Sequence, residues 1–242
     1  MDWQPEELLI AAIARLLAGC RHVAVGAASP IPGSAALLAK AQAREPMRVS
    51  ILDSRQLTHW SDGSKELFDC AAQGRIDTFF LGGAQIDGAG NVNLVGLGGY
   101  PKSRVRFPGS FGSAYLYFLI PNVILFREKH SVRTLVPKVD FISSPGVSAP
   151  GIYRPGGPTA LVTGKALFSF DRSRGRFRLT SVHPGHTAGE VRCATGFDFD
   201  EAAEVAETEP PDAAALGLIR GPVGEDIAET YPRFSAEVIG ST

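Results

Sequence analysis

Three stretches of this sequence hold residue types at spacings that could do chemistry. The first is Asp53, which ends the apolar run Arg48-Val49-Ser50-Ile51-Leu52 and is followed by Ser54, Arg55 and Gln56. A carboxylate at the end of a strand is well placed for catalysis, and equally suited to capping a helix or pairing with a surface cation. The second is Leu81-Gly82-Gly83-Ala84-Gln85-Ile86-Asp87-Gly88-Ala89-Gly90-Asn91-Val92-Asn93. Paired glycines let a ligand or a second backbone come close, Asp-Gly-Ala-Gly-Asn makes a tight turn, and Gln85 and Asn93 could aim amides at a ligand. A plain turn with satisfied side chains accounts for the same residues. The third is Pro108-Gly109-Ser110-Phe111-Gly112-Ser113-Ala114, a glycine-rich turn before a helical pattern. Backbone N–H groups of Gly109, Ser110 and Gly112 could bind a developing oxyanion or a phosphate there.

Elements that would position these residues follow from periodicity. Pro5 to Ala18 carries Leu9, Ile13, Leu16 and Leu17 at helical spacing, and His22 to Gly26 is a short apolar strand. After Pro30, Pro32 and Gly33, read as loop, Ser34 to Arg44 restores a helical pattern. Arg48 to Asp53 is the next strand, Ser64 to Gln73 a helix, and Asp77 to Leu81 a strand running into Gly82. Strands alternating with helices predict an α/β fold with a mostly parallel sheet, flanking helices on its faces and ligands at the carboxyl ends of its strands. Val123 to Arg127 adds a buried strand, and Pro145 to Pro158 a Gly/Pro-rich loop. Ala160 to Thr163, Ala166 to Phe170 and Arg176 to Thr180 predict a β-rich C-terminal portion before a helix over Ala188 to Ala194. The acidic, alanine-rich tail from about residue 201 is expected to be partly extended and to pack only in part. One domain spanning 1–242 is the expectation at this length.

Composition narrows the function. The 242 residues hold 24 Lys and Arg against 25 Asp and Glu, a net charge of -1 with no block of one sign. A nucleic-acid or anionic-membrane partner would call for a basic excess, so neither is expected. Cys20, Cys70 and Cys193 are odd in number and widely spaced, which predicts no disulfide framework, no metal site and a cytoplasmic setting. The N-terminus is acidic where a secretory signal would be basic, and the run Phe118 to Phe126 is far shorter than the roughly 20 apolar residues of a membrane span. Other polar residues read more simply: His59, His183 and His186 as loop histidines, and Cys70 as a small buried hydrophobe. Lys102, Arg104 and Arg106 form a basic cluster suited to the phosphates of a ligand or to open solvent.

Taken together and in order, the segments resemble the β subunit of the family I coenzyme A-transferases, the glutaconate type above all. The signature Gly82-Gly83-Ala84-Gln85-Ile86-Asp87 with Gly90-Asn91-Val92-Asn93 carries the resemblance. So do Pro101-Lys102, Arg106-Phe107-Pro108-Gly109-Ser110-Phe111-Gly112, Ser143-Ser144-Pro145-Gly146, Val182-His183-Pro184-Gly185 and Thr195-Gly196-Phe197-Asp198-Phe199. It implies a CoA-transferase-like α/β fold, a partner α subunit with the active site at the shared interface, no permanently bound cofactor, and acyl-CoA and a carboxylic acid as substrates. It also implies a nucleophile at the end of the second strand, where the family's glutamate is replaced by Asp53. That glutamate attacks an acyl-CoA to give an anhydride, then carries CoA as a thioester.

Aspartate withdraws the carboxylate by about one C–C bond, ~1.5 Å, and attack geometry tolerates little misplacement. Asp53 is then either a shorter nucleophile or a base that activates water in the gap, which would make the enzyme an acyl-CoA hydrolase, or a ring-opening or decarboxylating relative. A third reading is a non-catalytic subunit supporting an α-subunit site. Gly82 follows Asp53 by only 29 positions, a shorter connection than in the glutaconate enzymes. Phe111 stands where the family's glycine loop has glycine, and a side chain there resists positive φ.

Overall fold

The computed structural model describes residues 3–240; the first two residues of the acidic N-terminal stretch lie outside them. Two compact units divide the chain, one formed by the segment up to Phe80 with the return from Glu209, the other by Leu81–Thr208.

In the first unit, α1 (Pro5–Leu16) starts on a proline and is closed by a capping box in which the Glu7 carboxylate accepts the Gln4 N–H at 2.8 Å. β1 (His22–Val25), α2 (Pro30–Gln42), β2 (Arg48–Ile51), α3 (Gly63–Ala72) and β3 (Thr78–Leu81) follow. β2, β1 and β3 pair in parallel in that order, with Ala24 opposite Ser50 on one side and Phe79 on the other. β1 is buried along its whole length, so the three strands read as apolar runs rather than as alternating ones. α2 begins four residues before the expected Ser34. Its prolines occupy the first turn, where N–H groups have no intrahelical acceptor and proline's fixed φ already suits the helix. Cys70 is half-buried rather than buried, because the short α3 turns only Leu67 and Ala71 fully inward.

The second unit opens with two small hairpins, β4 (Gln85–Ile86) with β5 (Val92–Asn93) and β6 (Gly96–Leu97) with β7 (Val105–Arg106). α4 (Ser113–Leu119) follows the glycine-rich turn. β8 (Asn122–Arg127) and β9 (Pro158–Thr163) pair in parallel across the Gly/Pro-rich loop. β9, β10 (Ala166–Asp171) and β11 (Arg176–Val182) form an antiparallel meander; α5 (Ala188–Ala194) then leads to β12 (Asp200–Glu207), parallel to β11. The alternation in β10 and β11 sends Phe168, Phe170 and Phe177 inward, where Phe168 meets Phe177 and Phe199 edge-on. A parallel first half and a β-rich second half are as the sequence predicts.

Residues 200–207 are extended, but as a sheet strand, and beyond them α6 (Ala213–Leu218), a widened turn over Ile219–Val223, α7 (Gly224–Ala228) and α8 (Pro232–Phe234) pack into the first unit. Ala215, Ile219, Val223 and Ile227 recur every fourth residue and are all buried. That stripe is hidden in composition by the surrounding alanine and acid. Arg220 locks the return through two bonds, 2.7 and 2.9 Å, to Glu7, which is 1% exposed. Removing Arg220 would take its cation from the buried Glu7 carboxylate.

Candidate active site

Asp53 sits just beyond the carboxyl end of β2, exposed. The strand ends because the backbone turns back on itself: Ser54 N–H donates to Ile51 O at 3.1 Å and Ile51 N–H to Leu57 O at 3.2 Å. Buried Ser54 organises the turn, accepting the Leu57 and Gln56 amides at 2.9 and 3.2 Å while its hydroxyl donates to Glu229 Oε2 at 2.6 Å. Glu229 Oε1 takes the Arg55 N–H at 3.1 Å. These donors, the Ser54 hydroxyl first, hold the Glu229 carboxyl below the usual carboxylate range.

The carboxylate itself has a backbone partner, Ala28 N–H, which donates to Asp53 Oδ2 at 3.0 Å. Ala28 lies in the turn after β1 at φ +52°, the left-handed region that residues with a Cβ rarely visit. The next amide, Ser29 N–H, donates to the Tyr231 hydroxyl at 3.2 Å. Burial, followed by the neighbouring Asp53 charge and its hydrogen bond, pushes the Tyr231 phenol up, so it stays protonated. The sequence shows Ser54 beside Asp53 but does not mark its role, and it gives Glu229, Tyr231 and Ala28 no part in the site. The tail residues carry no local motif, although Ala27-Ala28-Ser29 before two prolines marks a turn at a strand's carboxyl end.

The second unit treats its polar residues differently. Asn93 is fully buried: its amide donates to Gln85 Oε1 at 2.7 Å and Gly96 O at 2.8 Å, and its oxygen accepts the Val95 and Gly96 amides at 3.0 and 3.3 Å. Gln85 Oε1 also accepts the Asp140 N–H at 2.9 Å. Asp87 Oδ1 takes the Ala89 and Asn91 amides, both at 3.1 Å, folding the turn onto itself. Asn93 therefore holds the hairpin through both ends of its amide, with the Gln85 oxygen as one of its partners. The paired glycines admit neighbours: a Cβ on Gly82 would stand 3.3 Å from Phe126 O, and one on Gly83 2.5 Å from Val92 Cγ1. Gly146 works the same way, since a Cβ there would lie 2.2 Å from Ala89 O.

In the glycine-rich turn Gly109 is exposed with φ +113°, while Ser110 and Gly112 are half-buried. Phe111 holds φ +45° with 74% of its surface exposed, so the backbone keeps a glycine-like conformation despite the side chain. Lys102, Arg104 and Arg106 are exposed, the Arg106 guanidinium 5.5 Å over the Tyr100 ring. His59 is exposed. His183 is buried between Thr208 Oγ1 at 2.9 Å and Thr163 O at 2.8 Å, and burial brings it down to about 4, a neutral structural histidine. His186 lies 3.8 Å from Glu190 on α5. Among the described residues no group of three or more His, Cys, Asp or Glu could hold a metal ion, and no helix is long and apolar enough to cross a membrane.

Comparison with known proteins places these features. A family model for coenzyme A transferase matches residues 5–194. The β subunit of the 3-oxoadipate CoA-transferase of Pseudomonas knackmussii is 37% identical over 153 residues, 61% of this chain and 58% of that protein. The β subunit of the glutaconate CoA-transferase of Acidaminococcus fermentans is 37% identical over 148 residues, 58% of this chain and 54% of that protein. The chain thus matches a little over half the length of these curated relatives. The crystal structure of the Acidaminococcus fermentans glutaconate enzyme superposes with a TM-score of 0.80 at 26% identity, over 98% of both chains. That of the decarboxylase AibA/AibB gives 0.78 at 25% identity, over 99% of this chain and 100% of that one. The chain belongs to the coenzyme A transferase family.

Proposed function

We propose that this chain is the β subunit of a CoA-transferase, acting with an α subunit and moving CoA from an acyl-CoA to a carboxylic acid through Asp53. The observation that carries the reading is the Asp53 turn: an exposed carboxylate at a parallel strand's carboxyl end, braced by the Ala28 amide and a turn tied to Glu229. In the reaction Asp53 attacks the thioester carbonyl and expels CoA thiolate, leaving an anhydride. The thiolate then attacks the Asp53 carbonyl, releasing the first acid and leaving an Asp53–CoA thioester. The second acid reverses both steps and restores the carboxylate, so no bond is lost to water. CoA is substrate and product, with no resident cofactor required.

In this reading Gly109, Ser110 and Gly112 supply backbone donors to the oxyanion or to CoA, and Gly82 and Gly83 let neighbouring backbone close around them. The family match runs through both compact units, which supports treating the chain as one β-subunit domain. Its relatives among the β subunits of two-subunit enzymes support an α-subunit partner. Three unbridged cysteines suit a cytoplasmic setting.

The likeness to a decarboxylase favours a second reading in which Asp53, one methylene short, acts as a base rather than as a nucleophile. Assaying the assembled protein with a panel of acyl-CoAs, with and without acceptor acids, separates the two. The transferase reading expects a new acyl-CoA in proportion to acceptor and none from Asp53→Ala. Free CoA or carbon dioxide formed independently of acceptor would establish the second.

A further inference from the structure

Resting on the reading of Asp53 as nucleophile, we infer that the Tyr231 hydroxyl is a catalytic donor to the oxyanion that forms on the Asp53 carbonyl each time the enzyme-bound acyl group is attacked. Tyr231 lies beyond residue 194, where the match to the family model ends, and comes to the turn on the helical return.

The geometry is a pair of successive amides. Ala28 N–H holds Asp53 Oδ2 at 3.0 Å, and Ser29 N–H holds the Tyr231 oxygen at 3.2 Å, so hydroxyl and carboxylate stand side by side on one turn. A backbone amide only donates, and a phenol has one proton. With Ser29 occupying an acceptor position on the oxygen, the phenol proton is left to turn toward the acceptor-only carboxylate of Asp53, whose neighbouring charge the phenol feels. The contact is not forced by chain proximity, since the two residues are far apart in sequence. The left-handed φ of Ala28 shows that the turn presenting both amides is held in a conformation that residues with a Cβ rarely adopt.

Donors poised on a resting carboxylate gain most when charge concentrates on one of its oxygens. When an acceptor carboxylate attacks the Asp53–CoA thioester, a C–O bond forms and the carbonyl π pair moves onto the Asp53 oxygen. Collapse of that tetrahedral centre breaks the C–S bond and expels CoA thiolate. The Tyr231 proton stays on the phenol throughout. Its hydrogen bond shortens toward the oxyanion beside that of Ala28.

The test follows a preformed Asp53–CoA thioester on the assembled protein after acceptor acid is added, by mass spectrometry of quenched samples. Tyr231→Phe removes only the hydroxyl. Loss of one such donor slows decay of the thioester by about a hundredfold, with KM for acyl-CoA and thermal midpoint close to wild type. Should Tyr231→Phe fold poorly, 3-fluorotyrosine at 231, nearly isosteric and a stronger donor, accelerates the decay instead. Wild-type decay in Tyr231→Phe, or no acceleration with 3-fluorotyrosine, would overturn the inference while leaving Asp53 as nucleophile. Full turnover by Asp53→Ala would remove the underlying reading, and this inference with it.

Discussion

Two turns of this molecule hold a carboxylate and several amides within a few residues of a strand, yet use them in opposite ways. Around Asp87, side chains and backbone are closed on each other: Asp87 accepts two amides of its own turn, and buried Asn93 makes four bonds with none left over. Around Asp53 the neighbours are tied down through Ser54 and Glu229, while the carboxylate stays exposed on its turn. The first turn commits its polar groups to architecture; the second uses Ser54, Glu229 and the strained Ala28 to hold one exposed carboxylate still. Polar residue types alone do not mark a site. What marks it is a carboxylate with lone pairs to spare on a scaffold whose other groups are satisfied.

That contrast breaks most sharply at its two ends. Asp53→Ala should lower turnover of the assembled protein at least about a thousandfold, the scale of losing a covalent nucleophile, with its urea midpoint unchanged. Asn93→Ala should do the reverse. Stripping a buried amide from four partners costs about 3 kcal/mol in urea unfolding, while kcat per folded molecule stays near wild type. If Asn93→Ala lost activity without losing stability, the second turn would belong to the chemistry after all.

A smaller effect comes from buried histidines. His183 and His130 are both brought down to about 4 by burial, so the folded state keeps them neutral while the unfolded chain protonates near 6.5. Their contribution is complete above about pH 6.5 and is lost as pH falls toward 4, because the unfolded chain then binds the extra protons. Urea unfolding between pH 7 and 4.5 should show that decline, and His183→Gln should make it shallower.

The smallest effect sharpens the Asp53 side. Glu229→Gln weakens the brace on Ser54 and Arg55 without touching Asp53, and should reduce kcat at pH 7 by up to about tenfold, since misplacement at the reacting group is felt strongly. Glu229 titrates below its ordinary value in the folded state, so its stabilisation is present above about pH 4.3 and disappears as pH falls through the lowered value. The variant should flatten the stability profile in that acid range. Unchanged kcat would mean that the brace does not matter to the turn.

Much of this was legible in the sequence because local rules governed it. The apolar runs of β1, β2 and β3 with helices between them gave the parallel half of the fold, and the inward alternation of Phe168, Phe170 and Phe177 gave the antiparallel meander. Asp53 was visible as a carboxylate at a strand end. What escaped was non-local. Glu229 and Tyr231 reach Ser54 and Ser29 from the other end of the chain, through an Ala215, Ile219, Val223, Ile227 stripe buried in acidic, alanine-rich sequence. Ala28 escaped because a left-handed alanine has no sequence signal. Gln85 and Asn93 were visible as amides, but whether an amide faces a ligand or another amide is decided by pairing across β4 and β5.

The central claim, that Asp53 carries the transferred group covalently, is tested most directly by trapping. The chain, co-produced with the proposed α subunit, is incubated with acyl-CoA, reduced with borohydride, and the peptide spanning Arg48 to Leu57 analysed by mass spectrometry. The account predicts reduction of the Asp53 side chain to its alcohol, dependent on acyl-CoA and absent from Asp53→Asn. Turnover of acyl-CoA with an unmodified Asp53 peptide would contradict it.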